Sequence, residues 1–106
     1  MRSAALAAVL LSAAAFAAPV PISKAPRGQP VTLSGKVMRI TDADTFRLKD
    51  ETGVVSVYVG PNRLPVQVGE TVTVLGALEE GFPPEVVARA IRREDGSEVA
   101  LRHDWS

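Results

Sequence analysis

Residues 35–60 read GKVMRITDADTFRLKDETGVVSVYVG, and this stretch decides the fold. It holds three β-like runs separated by two turn signals. Val37 to Ile40 is a first apolar run, ended by Thr41-Asp42-Ala43-Asp44. Phe46 and Leu48 then alternate with Thr45, Arg47 and Lys49 before a second turn at Asp50-Glu51-Thr52-Gly53. Beyond it Val55, Val57 and Val59 alternate with Val54, Ser56 and Tyr58. Period-two alternation bounded by Asp, Thr and Gly clusters is the pattern of a three-stranded antiparallel meander.

Working outward, the strand that leads into this stretch begins with Val31, Leu33, Gly35 and Val37 on one face. Its apolar parity then passes to Met38 and Ile40. A one-residue slip flips every following side chain, so the switch places a bulge or a sharp coil near Val37. On the other side, prolines bound Gly60-Pro61-Asn62-Arg63-Leu64-Pro65, which leaves room only for a loop or a single turn. A fourth strand over Thr71–Leu78 points Val72, Val74, Gly76 and Leu78 inward, and a fifth over about Glu85–Arg92 carries Val86, Val87, Ala88, Ala90 and Ile91. Asp95-Gly96 signals a hairpin, after which Val99 and Leu101 add a short last strand. The fold class expected is all-β: a small five-stranded Greek-key barrel of OB type over residues 31–102, with an SH3-like barrel or an open small sheet as the alternative. Residues 103–106 form a C-terminal tail.

The first 17 residues have a different character. Arg2 precedes an apolar stretch that ends in Ala15-Phe16-Ala17, a small-x-small site. This is the pattern of a cleaved signal peptide, and it implies a periplasmic or secreted product. The apolar stretch stops at Pro19, short of a membrane span. Residues 18–30 carry four prolines and read as an extended, solvated spacer.

At 106 residues with formal net charge zero, the chain is one domain with no global attraction to nucleic acid or to anionic membranes. With no cysteine and one histidine, His103, disulfide frameworks, thiolate metal sites and multi-histidine centres are excluded. No cofactor is expected.

The quoted stretch, followed by VGETVTVLGALEE and a short Val-rich strand, resembles the bacterial exported OB-fold proteins, the BOF family. The likeness rests on Val31, Leu33, Gly35, Val37, Phe46, Leu48, Asp50, Thr52, Gly53, Val72, Val74 and Gly76, all of them barrel scaffold positions. It implies a periplasmic protein associated with envelope stress tolerance that binds a ligand and does not act as an enzyme. The chain departs from the family in having prolines where a helical segment precedes the first strand, and in a short segment between the third and fourth strands. The run VMRITDADTFRL is also similar to the opening of the staphylococcal-nuclease family, with Asp44 at a calcium-binding position. That family's third-strand arginine falls at Ser56, which cannot stabilise a pentavalent phosphate, and its glutamate base has no match in Gly60-Pro61-Asn62.

OB-folds bind ligands on the face of the second and third strands, flanked by loops. That face carries Thr45, Arg47 and Lys49 on one strand and Ser56 and Tyr58 on the next, with Phe82 in a flanking loop. Two cations and one ring suit a small anionic molecule, a glycan or an envelope protein. A single-stranded nucleic acid is the alternative, although it needs several aromatic platforms and a basic groove. Asp42 and Asp44 sit at a turn, where carboxylates more often cap backbone N–H groups than bind a cation. Glu79, Glu80 and Glu85 read as a solvated loop cluster, and Arg89, Arg92 and Arg93 as an exposed strand edge. His103 and Trp105 lie beyond the last strand, with Trp105 either closing a barrel end or meeting a partner.

Overall fold

A computed structural model describes residues 16–81 and 83–103. Its strands are β1 (Pro30–Asp42), β2 (Thr45–Lys49), β3 (Val54–Tyr58), β4 (Thr71–Glu79), β5 (Glu85–Arg92) and β6 (Glu98–Ala100), preceded by a 3-10 turn over Ile22–Lys24. They pair in the order β3-β2-β1-β4-β5-β6. Parallel rungs Ser56↔Glu85, Val57↔Val86 and Tyr58↔Val87 then join β3 to β5 and close the first five strands into an OB-fold-like barrel. The short β6 adds to β5 outside the closed ring.

The first strand is shared between both halves of the barrel. Pro30–Lys36 pairs with β4, and Lys36–Asp42 with β2. Changing partners requires a tight coil at Gly35, where a Cβ would collide with the carbonyl oxygen of Lys49. The expected bulge follows at once. Val37 faces Leu48 and Arg39 faces Arg47, so Met38 is the extra residue, and a second irregularity lies between Ile40 and Asp42. The apolar side of the strand does not pass inward with Met38 and Ile40, however, since they stay 43% and 41% exposed. The two bulges carry this end of β1 past the rim of the core.

Inside the barrel, Phe46, Leu33, Leu48, Ile91 and the valines 37, 57, 59, 72, 74 and 86 are fully buried. Each contributes about 1.5–3 kcal/mol of burial. Valine suits the task because its stiff, branched side chain fits a pleated surface. Inward and outward positions on β2, β3 and β4 alternate as their sequences do.

Residues 18–30 are extended for the most part, but they are docked against the barrel and do not hang in solvent as a spacer. Val20 N–H donates to the Thr32 carbonyl (3.0 Å) and Gly28 N–H to that of Leu78 (2.9 Å). Val20, Ile22 and Ala25 pack on the core. Asp50 organises the attachment. Its Oδ2 accepts from Ile22 N–H at 2.9 Å, while Oδ1 accepts from the backbone N–H of Thr52 and Gly53 in its own turn. Burial works against ionisation of this carboxyl, but these hydrogen bonds, with that from the Thr52 hydroxyl, outweigh it and hold the pKa below its usual value. His103, the last described residue, is docked as well. It is buried, its Nε2 2.7 Å from the Ala88 carbonyl, beside Gly60. Asp104, Trp105 and Ser106 lie outside the described residues, as do residues 1–15, which hold most of the expected signal peptide. Among the described residues no helix is long and apolar enough to cross a membrane.

Candidate functional site

The register of β1, β2 and β3 sets out the outer face rung by rung. Lys49 lies between Lys36 and Val54, Arg47 between Arg39 and Ser56, and Thr45 between Asp42 and Tyr58. Thr45, Arg47, Lys49, Ser56 and Tyr58 therefore share one face, as their alternation predicts. Phe82, expected on the flanking loop, lies outside the described residues. Arg47 Nη1 donates to Ser56 Oγ at 3.2 Å, and Thr45 donates its hydroxyl proton to Asp44 Oδ1 at 2.9 Å. Tyr58 is half-buried, its ring 6.2 Å from that of His103 and tilted by 42°.

Two further cations belong to this face, and sequence reasoning missed them. Lys36 stands opposite Lys49, and Arg39 opposite Arg47. Like charges directly opposite one another across a sheet are destabilising. Among the described residues none of the four takes part in an ion pair; those present join Arg92 to Glu98 and Arg93 to Glu70. Lys36 was readable by alternation from Val37. Arg39 was readable from the parity change to Met38 and Ile40, which sends it to the outer side, and the extra residue Met38 is what places it there.

Acidic residues border this face, Asp42 on the Thr45–Tyr58 rung at its far end and Glu85 in line with the Arg39–Arg47–Ser56 rung. Asp42 Oδ1 accepts from the backbone N–H of Ala43 at 2.8 Å, a turn-capping role. Glu85, next to Ser56 across the β3–β5 seam, has its pKa raised, first by burial and then by the negative charge of Asp44. Among the described residues no three His, Cys, Asp or Glu side chains gather in a way that would hold a metal ion.

Away from this face, a hollow of about 570 Å³ lies between residues 67–70 and 93–95. Its polar groups are occupied in holding the fold. Glu70 receives Arg93 through both carboxylate oxygens, at 2.9 and 3.0 Å, and Oε1 also accepts from Gln67 N–H.

No family model matches the chain, and no curated protein matches it. Among solved structures it is similar to the hypothetical protein YgiW from E. coli, with a TM-score of 0.61 at 21% identity over 76% of this chain and 99% of that one. At that identity the likeness is one of fold, an OB-fold-like barrel, and the resemblance to the BOF family rests on the scaffold residues quoted above.

Proposed function

We propose that the chain is an exported, non-catalytic binding module whose outer β1–β2–β3 face receives an anionic ligand. The candidates are a small anionic molecule, a glycan or an acidic surface of an envelope protein. The observation that carries this reading is the pair of like-charge rungs, Lys36–Lys49 and Arg39–Arg47, kept at a cost to the sheet and with no acidic partner among the described residues. Arginine and lysine side by side provide a bidentate fork and a mobile point charge, a combination suited to carboxylate, sulfate or phosphate. Export is supported by the sequence pattern of residues 1–17, and a part in envelope stress tolerance by the family resemblance.

The test is a heteronuclear NMR titration of the protein with a cell-wall glycan fragment, a short single-stranded oligonucleotide and calcium. Saturable shifts on Lys36, Arg39, Arg47, Lys49 and Tyr58 with the glycan fragment are expected. Shifts confined to other surfaces, or none with any probe, would sink the reading. Binding of the oligonucleotide alone, with affinity falling steeply as salt rises, would give the site to nucleic acid.

A further inference from the structure

Resting on that reading and narrowing it, the geometry points to a ligand class: we infer that the face takes an acidic oligosaccharide with anionic groups on at least two successive sugar units. The two cationic rungs are the basis. Arg47 and Lys49 are alternate residues of β2, so their rungs are separated by about 6.8 Å along the strand, and within a rung the strands lie about 4.8 Å apart. Lys36 with Lys49, and Arg39 with Arg47, thus form two clamps one rung apart. A single anion fills one clamp and leaves the other pair repelling. A chain with one acid per sugar unit carries a second anion within reach of the long Lys and Arg side chains of the other clamp and neutralises both.

The rest of the face favours sugar over nucleotide. Thr45, Ser56 and Tyr58 place three hydroxyl groups beside the clamps, suited to exchanging hydrogen bonds with sugar hydroxyls. Successive bases of a single strand would each need a ring to stack on. The two strands offer one outward ring, Tyr58, half-buried and tilted against His103.

Two substitutions separate binding from folding. Lys36→Glu turns a like-charge rung into an attractive one with Lys49, and Arg39→Glu does so with Arg47, so both variants should melt no lower than the parent. The probes are tetragalacturonate, the galacturonate monomer, neutral maltotetraose and a short oligothymidylate. They are titrated into the purified protein by calorimetry, with NMR shifts locating the contact. Tetragalacturonate should bind on the β1–β2–β3 face, the monomer at least about tenfold more weakly and maltotetraose undetectably, with either charge reversal costing about tenfold or more, the worth of one charge-assisted contact. Equal affinity per site for the monomer would overturn the two-clamp inference while leaving an anion-binding face in place. Tighter binding of oligothymidylate would overturn the sugar assignment. No shift on this face with any probe would remove both the inference and the reading beneath it.

Discussion

Met38 decides which way Arg39 points, and Gly60 decides whether His103 can be buried; both act through the backbone. Gly60 sits at φ +71°, and a Cβ there would stand 2.6 Å from His103 Nδ1. Gly60→Ala is therefore expected to lose about 1–3 kcal/mol from backbone strain, with crowding of the histidine added. Urea denaturation measures the loss, and no change would mean that His103 is not held there. Glu85 makes a prediction of opposite sign. Its raised pKa means that the folded chain keeps this proton to higher pH than the unfolded chain does, so stability falls as pH rises from its ordinary value of 4.5 through the raised one. Glu85→Gln should be more stable than the parent at neutral pH and lose that advantage on acidification. Thermal melts at pH 7 and pH 4 decide it, and a variant that melts lower at pH 7 refutes the assignment.

Among the elements, β2 was legible because its inward and outward residues differ in polarity at every step, and β3 and β4 because large apolar residues recur at alternate positions, although Val54, Leu75 and Ala77 face outward. The course of β1 was legible only in part. That a bulge must occur followed from the parity change, but which residue it expels depends on the pairing with β2, a relation between distant positions. The docking of residues 18–30 was hidden for a similar reason. Prolines exclude an α-helix, yet they say nothing about whether an extended segment finds acceptors elsewhere, and here Thr32, Asp50 and Leu78 supply them. Asp50→Ala should release this segment, so trypsin will cut after Lys24 and Arg27 faster than in the parent, without a matching loss of the barrel. An unchanged cleavage rate would mean that Asp50 does not fasten it. Glu70 fastens the other side by joining the loop before β4 to the turn between β5 and β6. Glu70→Ala should speed amide exchange at Gln67 and Glu94 and leave β2 protected; uniform acceleration would count against so local a role.

For the molecule as a whole, the barrel was legible from five short strands, a coiled first strand and a break before the fourth, whereas the face was read from the alternation of β2 and β3 and the part β1 plays in it was overlooked. Among the described residues three carboxyls have depressed pKa values. Arg93 is the main cause for Glu70 and Ser97 for Asp95, while the hydrogen bonds to Asp50 prevail over its burial. Groups of this kind stabilise the fold above the ordinary carboxylate range and lose that contribution as pH falls through their folded values. The closing seam has a kinetic side. The meander and the β5–β6 hairpin join near neighbours in the chain, but Ser56↔Glu85 to Tyr58↔Val87 unites strands with all of β4 between them. Contacts that close long loops pay their entropy before they return any energy. The β1–β4 pairing, from Pro30↔Ala77 to Lys36↔Thr71, closes longer loops still, so the seam and that pairing are both completed after the hairpins, and substitutions at Val57 and Val86 should accelerate unfolding far more than they slow refolding. A barrel that zips up from its hairpins and locks along three rungs has its shortest join beside Ser56 and Tyr58, on the surface proposed to meet a ligand.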